Sequence, residues 1–294
     1  MLELTVLGSA ASIPTKDRGL SSYAIYSEGQ ILLFDFGEGT QRQLLNFNLS
    51  YGKINAIFIS HLHLDHFLGL FGFLQTLALS NIKKKISLFA PIGLAKFLSL
   101  FKIKDTVNFY PLQKTKNPIF STKNLDVFSK KVNTHNVESY IFLVKEKDKI
   151  CFYEKKAKSL GINGPLFSEI EKKGKIKINK KFIYLKDISY LKKGKSILYC
   201  GDGSPPINLE KTFLNPDLLI HECTFDNSLE SLAKERFHST PKQAASFARK
   251  IKAKKLLLTH VSARYSKDPS VLLSQAKKIF KNSLLAYDGL KLII

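Results

Sequence analysis

Residues 61–66 read His-Leu-His-Leu-Asp-His, between an apolar run at 54–59 and an apolar stretch at 67–79. The motif therefore directly follows a predicted buried strand, where a tight turn can aim four metal-capable side chains at one point. Imidazole nitrogens together with a carboxylate oxygen suit Zn²⁺. A solvated polar turn is the alternative, and it is disfavoured because core-like sequence lies on both sides of the motif.

Three further polar residues lie just past predicted strands. His135 follows Leu125–Val132, Asp202 follows Ser196–Tyr199 within Gly-Asp-Gly, and His260 follows Lys255–Thr259. Open α/β sheets gather their sites at such strand ends. For any one of these residues alone, an ordinary structural role explains it equally well, whereas jointly they complete two metal sites.

The order of these motifs resembles that of the metallo-β-lactamase superfamily, and more closely that of ribonuclease Z in its short form, the family of tRNA 3′ processing endonucleases. This resemblance implies an α/β fold built as a four-layer αββα metallo-β-lactamase sandwich with a protruding arm. The supporting segments run almost end to end: Leu7-Gly-Ser-Ala, Pro14-Thr-Lys-Asp-Arg, Phe34-Asp-Phe-Gly-Glu-Gly-Thr-Gln-Arg-Gln, Leu160-Gly-Ile-Asn-Gly-Pro-Leu-Phe, His221-Glu-Cys-Thr-Phe, His238-Ser-Thr-Pro and Thr259-His-Val-Ser-Ala-Arg-Tyr.

Length and composition agree with a single catalytic domain over 1–294. The chain has 294 residues and is 44% apolar, so we expect a large buried core rather than disorder. Its start reads as a first strand rather than a signal peptide. The longest apolar stretch, 67–79, is too short to span a membrane and fits a buried helix. The three cysteines are widely spaced and odd in number, which favours reduced thiols in the cytoplasm.

The chain is strongly basic, with 46 Lys and Arg against 24 Asp and Glu, a net charge of +22. Such a surface favours a polyanionic partner. A lysine-rich genome composition is an equal alternative explanation for the total. The distribution of the charge along the chain is therefore more informative than its sum.

One window, about 151–185, carries nine Lys against three Glu, a net of +6, with aromatic residues interleaved and no candidate metal ligand. The resemblance implies that this window is an inserted basic arm that grips tRNA and contains a Gly-Pro turn like that of the family. The alternative is a solvated β-hairpin without a role. The predicted substrate-binding residues of the arm are Gly164, Pro165, Lys156, Lys158, Lys172 and Lys173.

The resemblance also implies a set of ligands for two Zn²⁺ per subunit, for which Mn²⁺ could substitute. His61, His63 and His135 would hold one ion, Asp65, His66 and His260 the other, and Asp202 would bridge them together with a hydroxide. Two zinc ions bring four positive charges, and two carboxylates with hydroxide return three, so the site would keep about +1 and attract a phosphodiester. Asp65 would also orient the hydroxide and accept its proton.

Further catalytic residues are expected around these ligands. His238 is the predicted helper of the leaving 3′ oxygen, because Thr240, Pro241 and Gln243 read as a helix start just behind it. Glu222 could orient His238 and raise its pKa, and Arg264 could contact phosphate. For Arg264 and for His221, a structural role is an equal alternative. For Asp35, a hydrogen bond to a metal ligand and a purely structural role are nearly equal alternatives.

These observations predict a zinc-dependent endoribonuclease that cuts precursor tRNA after the acceptor stem. The family implies a homodimer, since the arm of one subunit would present tRNA to the site of the other. Two rivals remain open at this point. One is a hydrolase of the same superfamily acting on small phosphodiesters or thioesters, and the other is a non-catalytic RNA-binding protein.

Overall fold

The computed structural model describes residues 1–80, 82, 84–101, 103, 106–133, 135–179 and 181–294. The described chain forms two compact units. The first, the catalytic unit, comprises residues 1–145 and 195–294, and the second, the inserted unit, comprises residues 146–194.

The first sheet of the catalytic unit has seven strands in the spatial order β18-β1-β2-β3-β4-β5-β6. The strands from β3 to β6 are parallel, and those from β18 to β3 are antiparallel. Their bounds are β1 Glu3–Gly8, β2 Ser22–Ser27, β3 Gln30–Phe34, β4 Ile54–Phe58, β5 Ile86–Ala90, β6 Val107–Pro111 and β18 Lys291–Ile293.

The second sheet also has seven strands, in the order β17-β16-β15-β14-β9-β8-β7. The strands from β17 to β14 are parallel, and β9 pairs with β14 in antiparallel fashion. Their bounds are β7 Phe120–Ser121, β8 Leu125–Val132, β9 Ser139–Glu146, β14 Ser196–Tyr199, β15 Leu218–Glu222, β16 Lys255–Thr259 and β17 Ser283–Leu285.

Three apolar clusters hold these layers together. One contains residues of both sheets, such as Phe34, Phe58 and Phe142, and so fills the space between them. The other two bury the outer face of each sheet against helices, which gives the order helices, sheet, sheet, helices. This arrangement confirms the predicted four-layer αββα fold. The helices of the catalytic unit are α1 Thr40–Asn46, α2 Leu64–Phe67, α3 Gly69–Leu79, α4 Leu94–Leu100, α8 Glu230–Glu235, α9 Pro241–Lys250 and α10 Ser270–Lys277.

The inserted unit has its own small core of Ala157 and five isoleucines. The unit is therefore more than the solvated β-hairpin that was the alternative for this window. It spans residues 146–194, so it extends beyond the predicted bounds of 151–185 at both ends. Its elements are β10 Lys149–Phe152, α5 Glu154–Ser159, α6 Leu166–Lys173, β11 Lys175–Ile178, β12 Lys181–Tyr184, α7 Leu185–Ile188 and β13 Ser189–Lys192, with β10 pairing β13 and β11 pairing β12.

The strands predicted at Leu125–Val132, Ser196–Tyr199 and Lys255–Thr259 have these same bounds in the structure. The stretch 67–79 is helical, as predicted, through the last residue of α2 and the whole of α3. None of the helices in the described part of the chain combines the length and apolar character that crossing a membrane requires.

Candidate metal centre

The metal-capable residues converge because each follows the end of a strand or lies in the turn after it. His61 comes three residues after β4, and the motif continues into α2, which carries Asp65 and His66. The turn is fixed by a close approach of backbone segments: Phe36 donates its N–H to the His66 carbonyl at 2.6 Å. Next to it, a Cβ on Gly69 would lie only 2.2 Å from the Gly37 oxygen, so glycine is required there.

The first cluster consists of His61, His63 and His135, whose candidate ligand atoms lie within 4.8 Å of one another. Nε2 of His135 lies 3.0 Å from Nδ1 of His63. Nδ1 of His135 lies 2.9 Å from the Phe237 carbonyl oxygen, which fixes the ring and leaves Nε2 for the cluster. Nε2 of His61 is buried and has no hydrogen-bond partner among the described residues. A bound cation would satisfy this atom, so these three residues fit a metal ion.

The second cluster consists of Asp65, His66, Asp202 and His260, all of them buried. Oδ2 of Asp202 lies 2.9 Å from Nε2 of His260 and 3.1 Å from Nε2 of His66. Two carboxylates and two imidazoles form a nitrogen and oxygen donor set of the kind that zinc accepts. The solvated turn considered as an alternative for residues 61–66 is excluded, because His61 and His66 are no more than 1% exposed.

Asp35 holds His66 in place, which confirms the predicted hydrogen bond to a metal-capable residue. Its Oδ2 lies 2.7 Å from Nδ1 of His66, so Nε2 faces the second cluster. The same carboxylate accepts hydrogen bonds from the backbone and hydroxyl of Ser60 and from the hydroxyl of Tyr199. Asp35 and His260 both have left-handed backbones, with φ of 55° and 56°. Such strain is costly for residues other than glycine and concentrates at functional sites.

The two clusters differ in their electrostatics. Burial lowers the pKa of His61, His63 and His135, and neighbouring histidines lower it further, so these three rings are neutral, as metal binding requires. Burial alone would also lower the pKa of His66 and His260, but the surrounding carboxylates outweigh it. They raise the pKa of His260 to about 10 and that of His66 well above its ordinary value. A metal ion entering the second cluster would displace these protons.

The buried Glu222 and the partly buried His238 form a pair beside the clusters. Oε1 of Glu222 lies 3.0 Å from Nδ1 of His238, and it also accepts the N–H of Ser239 at 2.8 Å. Burial lowers the pKa of His238, but the charge of Glu222 outweighs it and raises that pKa, as expected from the sequence. Behind the pair, Thr240 and Gln243 form the predicted capping box at the start of α9.

Arg264 lies on the surface near the first cluster. Its guanidinium stands over the Phe225 ring, 4.7 Å from the ring centroid. Together with His63, His135 and His238 it lines an open cavity of about 410 Å³. The position of Arg264 therefore suits contact with a bound phosphate, although its role as a catalytic residue stays a prediction.

The other residues singled out in the sequence lie outside the clusters. His221 is buried, with Nδ1 2.9 Å from the Glu222 carbonyl oxygen and its ring against Phe247. Gly164, with φ of 50°, and Pro165 lie directly before α6. Lys180, part of the basic window, lies outside the described residues. The arm lysines Lys156, Lys158, Lys172 and Lys173 are exposed in the inserted unit.

Sequence reasoning missed the polar residues that orient the metal-capable side chains. Thr224 places its hydroxyl 2.8 Å from Nδ1 of His260, and it donates to Glu222 at 2.6 Å. Ser12 donates its backbone N–H to Oδ2 of Asp65 at 3.0 Å. Thr224 belongs to the segment His221-Glu-Cys-Thr-Phe that carries the family resemblance, and this was a usable signal. Ser12 gave none, because a backbone N–H can come from any residue type except proline.

Comparison with known proteins shows the family. A family model described as Anti-Pycsar protein Apyc1 matches residues 2–156, just over half of the chain. Ribonuclease Z of Picrophilus torridus is 37% identical, over 98% of this chain and 94% of that protein. Ribonuclease Z of Prochlorococcus marinus strain MIT 9515 is 38% identical, over 98% of each.

Solved structures agree with this result. Human tRNase Z, short form, superposes with a TM-score of 0.71 at 29% identity and covers 99% of both chains. The metallo-β-lactamase fold protein YhfI from Bacillus subtilis superposes with a TM-score of 0.73 at 18% identity, which speaks for the fold alone. The chain belongs to the ribonuclease Z family of metallo-β-lactamase-fold hydrolases, and over residues 2–156 it also belongs to the family described as Anti-Pycsar protein Apyc1.

Proposed function

We propose that this chain is a zinc-dependent endoribonuclease that removes the 3′ trailer from precursor tRNA, leaving a 3′ hydroxyl on the tRNA and a 5′ phosphate on the trailer. The full-length likeness to proteins named ribonuclease Z carries the proposal. The geometry supports it, because the structure contains two metal-capable clusters and His260 of the second cluster also lies beside Glu222 and His238.

Two zinc ions per subunit are proposed, with Mn²⁺ as a substitute. His61, His63 and His135 would hold one ion, Asp65, His66 and His260 the other, and Asp202 would contact both. When bound, the ions would lower the pKa of coordinated water and offset the negative charge of the phosphodiester.

The chain's own residues would then move the two protons of the reaction. Asp65 would accept a proton from the attacking water; its carboxylate belongs to the second cluster and accepts the Ser12 N–H. Water attacks phosphorus, and the bond from phosphorus to the 3′ oxygen breaks. His238 would give that oxygen a proton; the contact of Glu222 with Nδ1 supports this role, because it leaves Nε2 for the substrate.

RNA binding would draw on two basic regions. Arg264 at the cavity mouth would contact a phosphate near the site of cleavage. The arm would bind the tRNA backbone through its exposed lysines. Two exposed aromatic rings support this role: Lys175 and Lys177 stand over Phe182, and Lys186 stands over Tyr184. Such pairs of ring and cation suit both bases and phosphates.

A homodimer is proposed as the working form. An exposed apolar patch at α4 supports it: Phe97, Leu100 and Phe101 are 37%, 73% and 51% exposed. Phe101 packs on Phe71 with ring centroids 4.8 Å apart, and this contact holds the Phe101 ring in place. Contiguous apolar surface of this kind marks interaction sites. Sedimentation at several concentrations tests it, and Phe101→Glu should shift the protein to monomer.

The cytoplasm is the proposed compartment, and the three cysteines are free in the structure, in keeping with a reducing environment.

The decisive experiment incubates purified protein, loaded with zinc, with a precursor tRNA that carries a 3′ trailer. Mapping both product ends should find a 3′ hydroxyl on the tRNA and a 5′ phosphate on the trailer. A small phosphodiester such as bis-p-nitrophenyl phosphate is the parallel substrate. Hydrolysis of the small ester with an intact precursor would replace the proposal with the alternative, a hydrolase of small phosphodiesters.

A further inference from the structure

Two buried hydroxyl groups connect carboxylates to histidines of the metal-capable clusters. They belong to Thr224, which follows β15 of the second sheet, and to Ser60, which follows β4 of the first. These residues are only 6% and 1% exposed. Each hydroxyl lies between one carboxylate and Nδ1 of one histidine: Thr224 between Glu222 and His260, and Ser60 between Asp35 and His61.

The hydroxyl of Thr224 can make its two hydrogen bonds in one direction only. Its Oγ1 lies 2.6 Å from Oε2 of Glu222 and 2.8 Å from Nδ1 of His260. A hydroxyl has one hydrogen to donate, and a carboxylate oxygen can only accept. The hydrogen therefore goes to Glu222, and the same hydroxyl oxygen accepts a hydrogen from Nδ1 of His260. A proton held on Nδ1 leaves Nε2 of the neutral ring as the donor atom for a metal ion.

Ser60 repeats this arrangement in the first sheet. Its Oγ lies 2.7 Å from Oδ2 of Asp35 and 3.0 Å from Nδ1 of His61. By the same count of hydrogens, Ser60 donates to Asp35 and accepts from His61. The unprotonated atom of His61 is then Nε2, and this is the buried nitrogen that has no hydrogen-bond partner among the described residues. Two independent chains of carboxylate, hydroxyl and histidine therefore end at the two clusters.

Each carboxylate also holds a second histidine directly. Oδ2 of Asp35 lies 2.7 Å from Nδ1 of His66, and Oε1 of Glu222 lies 3.0 Å from Nδ1 of His238. Each carboxylate thus orients two imidazole rings, one directly and one through a hydroxyl. Glu222 in this way connects the proton donor of the proposed mechanism with a residue of the second cluster.

We propose that these two hydroxyls belong to positioning residues, each of which fixes the proton of its histidine on Nδ1 and so selects Nε2 as the metal-binding atom. Each hydroxyl acts through the ring that it holds. A ring with its proton on Nε2 would have to release that proton before the metal could bind, so the fixed proton favours metal binding. The inference rests on the metal binding of the proposed function, but not on its RNA substrate.

Thr224 offers a test in which the shape of the side chain is kept. Thr224→Val removes the hydroxyl and keeps the branched side chain, whereas Thr224→Ser keeps the hydroxyl. Thr259→Val is the matched control, because Thr259 is also buried, adjoins His260 in the chain and pairs its hydroxyl with that of Tyr23 at 2.6 Å. Zinc affinity is measured by competition with a coloured chelator, and the Tm of each metal-free protein controls for folding.

Thr224→Val should bind zinc about 10–100-fold more weakly, the usual effect of removing a partner that orients a ligand. Thr224→Ser and Thr259→Val should bind zinc as the wild type does. Ser60→Ala should weaken zinc binding by a similar factor through the other chain. Wild-type affinity in Thr224→Val or in Ser60→Ala overturns the proposal, and so does an equal weakening in Thr224→Ser or Thr259→Val.

The proton can also be located directly in the unaltered protein, without any variant that has to fold. Long-range proton–nitrogen NMR spectra of the zinc-loaded protein, prepared with isotope-labelled histidine, report which ring nitrogen carries hydrogen and which binds zinc. We expect His61 and His260 to carry hydrogen on Nδ1 and to bind zinc through Nε2. Zinc on Nδ1 of either ring overturns the proposal.

Reaction rates separate this role from an action on the proton donor, since Oγ1 of Thr224 also lies 3.4 Å from Nδ1 of His238. At a zinc concentration that loads the variant only in part, Thr224→Val should lose rate equally on precursor tRNA and on bis-p-nitrophenyl phosphate. A loss confined to precursor tRNA would assign Thr224 to His238 and overturn the proposal. If zinc affinities follow the prediction while the wild type leaves precursor tRNA uncut, the proposed function fails and the positioning role stands.

Discussion

Oδ2 of Asp35 lies 2.7 Å from Nδ1 of His66, and both side chains are fully buried. This hydrogen bond fixes which nitrogen of His66 faces the second cluster. Asp35→Asn should therefore lower metal affinity by about 10–100-fold, the usual effect of removing a partner that orients a ligand. Competition with a coloured chelator measures it. Tyr199→Phe, which removes one donor to the same carboxylate, is the milder control. Equal metal affinity in the wild type and Asp35→Asn would contradict the role.

Asp65 carries the predicted proton transfer from the nucleophile. Asp65→Asn keeps the side-chain shape, and its amide oxygen can still accept the Ser12 N–H, but it removes the basic oxygen. The folded protein should lose precursor cleavage by orders of magnitude, more than partial metal loss alone would give. Rates are compared at saturating zinc, with metal content measured on the same sample. Near-wild-type turnover in the metal-replete variant would exclude this role.

His238 should matter only where the leaving group needs a proton. His238→Ala should retain its metal and its RNA affinity while losing rate on precursor tRNA. On bis-p-nitrophenyl phosphate the decrease should be much smaller, because p-nitrophenolate leaves without a proton. Single-turnover rates on both substrates measure the difference. Equal decreases would make His238 a structural residue held by Glu222.

The sequence predicted which residues form the two metal-capable clusters, because each of them follows a strand end or belongs to a dense motif. It could not predict the hydrogen bonds that hold the ligands. The Ser12 N–H and Asp65 are 53 positions apart, and the Tyr199 hydroxyl reaches Asp35 across 164 positions. The first pair depends on how two loops of the first sheet meet, and the second depends on how the two sheets pack. For the arm, the sequence indicates only a basic stretch, because its lysines mask the short amphipathic helices that bury Ala157 and Ile170.

Stability at low pH should depend on Asp217, which directly precedes β15. Its carboxylate accepts hydrogen bonds from Lys254 at 2.8 Å, Lys195 at 3.1 Å and the Ser196 N–H at 2.9 Å. Burial alone would raise the pKa of Asp217, but these donors outweigh it and lower that pKa. A carboxyl group whose pKa is lowered by folding stabilises the protein above its unfolded pKa, and this contribution disappears as pH falls through the folded value.

Asp217→Asn should therefore cost about 1–3 kcal/mol of unfolding free energy at neutral pH, and less in acid. Urea denaturation at a series of pH values measures the difference between the wild type and the variant. A difference that stays constant down to the most acidic pH at which the protein folds would show that the charge of Asp217 does not contribute.

The arm prediction can be tested by clean removal, because the strands on either side of it are already neighbours. β9 and β14 pair in antiparallel fashion with Lys145 opposite Ser196. Replacing residues 146–195 by Asn-Gly would join them through a two-residue hairpin turn. The ligands all lie outside the deletion, so hydrolysis of bis-p-nitrophenyl phosphate should survive. Affinity for precursor tRNA should fall, with a flatter dependence on salt.

A pair of point variants separates the arm's charge from the protein's overall charge. Lys172→Ala/Lys173→Ala removes two exposed lysines at the end of α6, and Lys277→Ala/Lys278→Ala removes two at the end of α10 in the catalytic unit. Only the first pair should lower the salt slope, by roughly 0.7–0.9 for each phosphate that is no longer bound. If both double variants lower the salt slope equally, RNA binding depends on the net charge of the protein and not on the arm. If the variant that lacks residues 146–195 loses both hydrolysis of bis-p-nitrophenyl phosphate and binding of precursor tRNA, the segment belongs to the catalytic core.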